Sequence, residues 1–360
     1  MKYNINIEKV SNSLLKGIDF DAIPFGKTFS DHMFVSDYEN GEWKNHRIIP
    51  FGPFEVHPAC LAIHYGQAIF EGMKASKRFD GQPLLFRPEL HAERLNNSAR
   101  RMCMPEFPAD LFLQALHTLI GTDAGWIPPK EGSALYIRPF MFANGEFFGV
   151  KPSDKYRFII FTGPVGPYYP KPVTLLAEEK YVRAIKGGVG EAKAAGNYGA
   201  SLLPTELAQK QGYDQILWLD GKEHKYIEEV GTMNIFFVID GKVVTPAPDG
   251  AILKGITRRS FLQILEEKGI PVEERDLSIE EVAKAYDEGK LDEIFGSGTA
   301  AVVAHVSELT YRGKKMTLPP VEGRKIGPML KKEIDGLRAG KIEDTRNWIV
   351  PVEVESGVTV

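Results

Sequence analysis

The sequence predicts an α/β protein of the α+β type, built as two domains, and three observations carry that expectation. The chain has 360 residues, too many for one ordinary core, and 43% of them are hydrophobic, enough to fill two. Apolar runs of strand length alternate with helical segments. A Pro/Gly-rich stretch, Gly163-Pro164-Val165-Gly166-Pro167-Tyr168-Tyr169-Pro170-Lys171-Pro172, interrupts them near the middle. The expected division is therefore a first domain at 1–165, a linker at 166–176 and a second domain at 177–360.

The elements follow in order. Proline in the first turn marks a helix from Pro88 to about Met102, and a second helix runs from about Pro108 to Ile120. Ala134-Leu135-Tyr136-Ile137-Arg138 and the run from Tyr156 to Phe161 read as strands. In the second half, strands are expected from Gln215 to Leu219 and from Met233 to Ile239. A hairpin turn at Asp240-Gly241 then returns the chain through Val243-Val244. One helix begins near Thr257 and stops at Gly269. Another opens with the capping-box pattern Ser278-Ile279-Glu280-Glu281, and Asp292 to Phe295 is strand-like.

Charge and composition exclude whole classes of function. A net charge of -4 leaves no basic field for nucleic acid. The opening MKYNINIEKVSNSLLKGIDF has no apolar core of a signal peptide, and no stretch approaches the ~18 apolar residues of a membrane span. The expectation is a cytoplasmic protein without a membrane partner. Two cysteines, Cys60 and Cys103, are too few for a disulfide framework or a cysteine-rich zinc site. Gly26-Lys27-Thr28 lacks the upstream glycine of a P-loop, no His-Glu-x-x-His pattern occurs, and no metal is expected.

Chemistry is concentrated in four segments. Gly187-Gly188-Val189-Gly190-Glu191-Ala192-Lys193-Ala194-Ala195-Gly196-Asn197-Tyr198-Gly199 sets one lysine among small residues. Such neighbours admit a flat ligand and let an ammonium be desolvated, the condition for a nucleophilic, Schiff-base lysine. A flexible Gly/Ala linker with a solvated lysine fits the same segment. Gly255-Ile256-Thr257-Arg258-Arg259 places glycine before a helix N-terminus, where unpaired amides favour an anion, although an ordinary cap reads the same way. In Gly296-Ser297-Gly298-Thr299-Ala300-Ala301 the two glycines are expected to bend the backbone into an anion nest beside the Thr299 hydroxyl, or simply to make a tight turn. Two phosphate-type sites with such a lysine fit pyridoxal 5′-phosphate. That cofactor also wants a carboxylate at its ring nitrogen. Glu229, heading Val230-Gly231-Thr232-Met233-Asn234, is the candidate, and Glu228 competes with it.

In their order along the chain, these segments resemble those of branched-chain amino-acid aminotransferases. The N-terminal half adds Phe25-Gly26-Lys27-Thr28-Phe29-Ser30-Asp31-His32-Met33, His64-Tyr65, Phe70-Glu71-Gly72-Met73-Lys74-Ala75, Arg94-Leu95-Asn96-Asn97-Ser98-Ala99 and Tyr136-Ile137-Arg138-Pro139, so the likeness spans nearly the whole chain. It implies fold type IV of the pyridoxal-phosphate enzymes, similar to D-amino-acid aminotransferase, with a smaller N-terminal domain, a larger C-terminal domain and the cofactor in the cleft between them. Lys193 would carry the cofactor as a Schiff base, Tyr198 would bond its phenolic oxygen and Glu229 its ring nitrogen. Arg94, the backbone of Ile256 and Thr257, and Thr299 would take the phosphate. Periodicity alone sets Arg94 off the apolar stripe Ala92-Leu95-Ala99-Met102 and reads it as solvated.

The substrate pocket implied by the resemblance comprises Phe25, Tyr65, Phe70, Tyr136, Arg138, Thr232 and the amides of Thr299 and Ala300. Arg138 would accept the second carboxylate of glutamate, and Val165 to Tyr168 would close the entrance. A homodimer that exchanges an amino group between leucine, isoleucine or valine and 2-oxoglutarate is implied. A D-amino-acid aminotransferase or aminodeoxychorismate lyase of the same fold is the rival. Mammalian members carry Cys-x-x-Cys after the Gly-Thr-Ala turn, where this chain reads Thr299-Ala300-Ala301-Val302-Val303-Ala304, which excludes a thiol switch there.

Overall fold

A computed structural model describes residues 2–23, 26–166 and 171–354. The chain divides into two compact units that are not contiguous in sequence. One takes in the chain up to 166 together with 192–195 and the residues from 335 onward; the other takes in 171–191 and 196–334.

The first unit is a sheet of nine described strands with helices packed against it. Its strands are β1 (Asn6–Ile7), β2 (His32–Glu39), β3 (Glu42–Pro50), β4 (Ala68–Phe70), β5 (Met73–Lys77), β6 (Pro83–Phe86), β7 (Ala134–Ala143), β8 (Tyr156–Val165) and the C-terminal Ile349–Pro351. Their order is β1-β3-β2-β8-β7-β5-β6 and the C-terminal strand, with β4 paired to β7. Besides α1 (Leu61–Tyr65), the unit contains α2 (Pro88–Arg101), which starts on its proline as expected, and α3 (Ala109–Thr122). The buried positions Ala92, Leu95 and Ala99 of α2, and Leu111, Phe112, Ala115, Leu116 and Leu119 of α3, recur at helical spacing. They meet Phe34, Ile137 and Phe158 of the sheet. Each large side chain so buried contributes about 1.5–3 kcal/mol. Strand β7 runs five residues past the expected end, through Pro139. Proline is tolerated inside the sheet because the pairing with β4 ends at Phe70↔Phe140 and that with β5 begins at Met73↔Ile137. Between them Pro139 offers only its carbonyl, to the Glu71 amide at 2.7 Å.

The second unit holds another sheet of nine described strands. They are β9 (Val173–Glu178), β10 (Gln215–Leu219), β11 (Ile227–Val230), β12 (Asn234–Ile239), β13 (Lys242–Thr245), β14 (Val272–Glu274), β15 (Leu291–Gly298), β16 (Val302–Tyr311) and β17 (Lys314–Thr317). The order is β11-β10-β9-β16-β15-β12-β13-β14, with β17 on β16. The remaining helices are α4 (Ala195–Ala200), α5 (Leu202–Lys210), α6 (Ile256–Glu267), α7 (Ile279–Asp287) and α8 (Ile326–Arg338). The β12–β13 hairpin turns on Asp240 and Gly241, both at positive φ, and Ser278 Oγ caps α7 by accepting the Glu281 amide.

The expected linker needs correction at its C-terminal end, and the expected entrance loop at its start. Gly163–Val165 belong to β8, paired with Ala134–Tyr136, so Val165 is a strand residue rather than part of an entrance loop. Val173–Leu176, placed in the linker at 166–176, form β9, which pairs in parallel with β10 and β16. Phe25 and Tyr168 lie outside the described residues. Lys193, which the sequence division assigns to the second domain, sits with the first unit because Ala194 bridges Ile69 and the Phe70 amide donates to the Lys193 carbonyl at 3.0 Å.

Candidate active site

Within the first unit, the lysine segment is pinned on both sides of its functional residue. The Lys193 amide donates to Ser98 Oγ at 2.9 Å, and that hydroxyl donates to the Arg94 carbonyl one helical turn back, at 3.0 Å. A flexible linker would not be held this way. The Lys193 Nζ lies 4.7 Å from the centre of the Phe70 ring, and the Arg138 guanidinium lies 4.8 Å from the same centre. Arg138 also stacks on Tyr136, at 5.4 Å, and donates to its hydroxyl at 3.3 Å. Tyr136 and Arg138 share one face of β7, two residues apart. The Tyr136 hydroxyl fits only because residue 72 is glycine, since a Cβ there would collide with it. The Arg138 Nε is buried without a hydrogen-bond partner. Tyr65 is not gathered into this group: at the end of α1 it is 44% exposed, and its hydroxyl accepts the Gly149 amide at 3.2 Å.

Arg94 corrects the periodicity reading. Its side chain is nearly buried, and Nε and Nη2 donate to the two oxygens of Glu71 at 2.7 and 2.9 Å. Glu71 is completely buried and also accepts from His91 Nδ1 at 2.7 Å. Burial alone would push the Glu71 carboxyl up, but the Arg94 charge and the Arg94 and His91 hydrogen bonds hold it well below the usual carboxylate range. Burial pushes the His91 imidazole down against the pull of Glu71. Glu71, His91 and Ser98 were missed by sequence reasoning. The signal for the last two was their spacing on α2, three and four residues either side of Arg94.

Within the second unit, the candidates of two turns and of the start of α6 collect at one end of the sheet. The β11–β12 turn carries Thr232 at its exposed tip, closed by paired Val230–Met233 hydrogen bonds of 2.9 Å. Thr299 and Ala300 lie in the β15–β16 turn, and Asn234↔Ser297 pairing brings the two turns to the same end. Asn234 Nδ2 donates to the Leu253 carbonyl at 2.8 Å, and Gly255 leaves the room that its Oδ1 needs. This anchors the start of α6, with Ile256 and Thr257 buried in its first turn. Arg258 is buried as well, bonded to the Pro246 carbonyl at 2.9 Å and to Glu274 at 2.7 Å. Gly296 and Gly298 do not form a nest by bending. They lie in β15 without positive φ, and their missing side chains make room for Met233. Tyr198 is half-buried on α4.

The two adjacent acids differ sharply. Glu229 is buried, its Oε1 accepting the Leu253 amide at 2.7 Å and pairing with Arg183 Nη2 at 3.2 Å. Arg183 Nη2 also reaches the Gly190 carbonyl at 3.3 Å and the Ala251 carbonyl. Glu228 Oε2 is buried without a partner. Its carboxyl is pushed up to about 8 by burial; the Arg183 charge opposes the shift, while Asp249, Glu229 and Asp220 add to it. In the folded protein it is therefore protonated where an unfolded chain is ionised. The stability this contributes is fully present below the ordinary value of 4.5 and is lost as pH rises towards about 8. Glu228→Gln should match the parent in melting temperature near pH 5 and exceed it at pH 8.5. Parallel melting curves across that range would remove the assignment.

Comparison with known proteins gives the family. The profile of the amino-transferase class IV family matches residues 68–309. The chain belongs to the class IV aminotransferases. A relative from Staphylococcus epidermidis, named a probable branched-chain-amino-acid aminotransferase, is 47% identical over 357 residues, covering 98% of this chain and 99% of its own. The Escherichia coli branched-chain amino acid aminotransferase structure is 29% identical with a TM-score of 0.74, over 90% of this chain and 99% of that one. A further branched-chain amino acid aminotransferase, solved with pyridoxamine 5′-phosphate, is 26% identical with a TM-score of 0.72, over 88% and 98% of the two chains.

Proposed function

We propose that the chain is a branched-chain amino-acid transaminase, moving the amino group between L-leucine, L-isoleucine or L-valine and 2-oxoglutarate with pyridoxal 5′-phosphate as cofactor. One observation supports it above the rest: an amine, Lys193 Nζ, and a guanidinium, Arg138, lie over the same aromatic ring. Amino transfer needs the first. A dicarboxylic partner needs the second, while the ring suits an aliphatic side chain.

The resemblance assigns each donor a part of the cofactor, and the chemistry of each residue suits that part. Lys193 offers the amine for its aldehyde carbon, Tyr198 a phenol for its ring oxygen, and Glu229 a buried carboxyl group for its ring nitrogen. Arg94, the Ile256 and Thr257 amides at the head of α6, and the Thr299 hydroxyl suit a phosphate. When bound, pyridoxal phosphate supplies a carbon that accepts the amino group and a ring that withdraws electrons from the substrate's α-carbon. Lys193 Nζ, set free when the substrate's amine takes its place, would take the α-proton as base and give it back as acid. Arg183 and the Leu253 amide hold the Glu229 carboxylate in place, where it would pair with a protonated ring nitrogen. Glu229→Gln should slow α-proton removal at unchanged cofactor content, and by more than Glu228→Gln does. The reverse ranking in single-turnover kinetics would exchange their roles. Phe70, Tyr136 and Thr232 receive the side chain, with the Thr299 and Ala300 amides on the α-carboxylate. Phe25 and Tyr65 complete the proposed pocket.

Adding L-leucine to the holoenzyme should discharge the cofactor absorbance, and 2-oxoglutarate should restore it with release of glutamate. If D-alanine reacts and leucine does not, the chain is a D-amino-acid aminotransferase. If neither reacts, it binds the cofactor without turnover. The resemblance also supports a cytosolic homodimer, which sedimentation of the full chain tests. Among the described residues, no helix is long and apolar enough to cross a membrane.

A further inference from the structure

The most deeply buried charge among the described residues of the first unit is Glu71, a carboxylate with no exposed surface at the break between β4 and β5. Burying it is costly unless the partners are fixed. They are: Arg94 engages it side-on through Nε and Nη2, and His91 Nδ1, on the same face of α2, donates to Oε2. The Gly72 amide adds a fourth bond, at 3.2 Å. A guanidinium is planar, so tying its Nε–Nη2 edge sets the plane of the whole group and directs its other edge, at Nη1, away from the carboxylate.

We infer that Glu71, braced by His91, is a positioning residue that holds Arg94 as a preformed clamp for the cofactor's phosphate. The inference rests on the reading of Arg94 as a phosphate ligand. Two effects oppose each other here. By charge alone, removing Glu71 would favour an anion near Arg94. By geometry, it would release a long side chain that must then be reordered each time the anion binds. Orientation dominates, because Glu71 engages the guanidinium through two short charge-assisted bonds in a buried setting and removing it forfeits both.

The test compares pyridoxal 5′-phosphate with pyridoxal, which lacks the phosphate, by equilibrium dialysis of the full-length protein, together with the phosphorus NMR signal of the bound cofactor. Glu71→Gln should weaken pyridoxal phosphate by about tenfold, leave pyridoxal unchanged, and shift or broaden the phosphorus signal. His91→Phe, which keeps the ion pair and removes one brace, should move both readouts the same way by a smaller factor; it carries the test alone if Glu71→Gln does not accumulate as folded protein. Equal losses for the two ligands would mean a merely structural ion pair, and tighter phosphate binding would mean that charge dominates; either overturns the inference. Arg94→Met separates the two levels. If it leaves the ratio of the two affinities unchanged, the phosphate assignment itself fails. If it collapses the ratio while Glu71→Gln does not, only the role of Glu71 fails.

Discussion

Lys193→Ala is expected to abolish transamination, with a loss beyond the ~100- to 10,000-fold typical of removing a general base, because the covalent attachment goes as well. The substitution is structurally mild. The segment is held by backbone: the Ala194 bridge to Ile69, the Phe70 amide on the Lys193 carbonyl, and Ser98 Oγ under the Lys193 amide. What disappears is the ammonium over Phe70. Melting temperature should therefore change little while turnover vanishes. Borohydride treatment of the parent followed by peptide mapping should fix the cofactor to Lys193. A label on Lys180, Lys186 or another lysine, or near-normal turnover in the variant, would overturn the assignment.

The legible parts of this chain are those whose causes are local. Pro88 fixes the start of α2, Asp240-Gly241 supplies two left-handed residues to a hairpin, and Ser278 caps α7 within four residues of sequence. The Lys193 segment is legible for a similar reason, its composition being its signal. Arg94 is the counterexample. Periodicity sees only its own helix, and the carboxylate that draws it inward lies 23 residues back. Glu229 was chosen over Glu228 by its motif. The Arg183 contact that distinguishes the two is a tertiary one, with no local signature. The Pro/Gly stretch is legible only in part: Gly163–Val165 belong to the run that interrupts the strands, yet they extend β8 beyond Phe161 because Ala134–Tyr136 lie across from them. Residue types mark turns well and strand ends poorly when pairing is long-range.

Arg138→Met should separate the two half-reactions. One pocket must take an aliphatic side chain in one direction and the second carboxylate of glutamate or 2-oxoglutarate in the other. An aromatic surface serves the first and leaves a buried carboxylate unpaired. Arg138 is stacked on Phe70 and Tyr136, weakly hydrated there, with a buried Nε that has no hydrogen-bond partner. Among the described residues no carboxylate pairs with it, which argues against a structural ion pair on the strand. Methionine keeps much of the packing and loses the charge. The expected cost is roughly 2–5 kcal/mol in kcat/KM for 2-oxoglutarate, with leucine nearly unaffected. Lysine at 138 should recover only part of it, because a point charge cannot pair through two parallel bonds. Paired half-reaction kinetics decide the matter: equal losses for leucine and 2-oxoglutarate would mean that Arg138 supports the strand rather than selects the substrate.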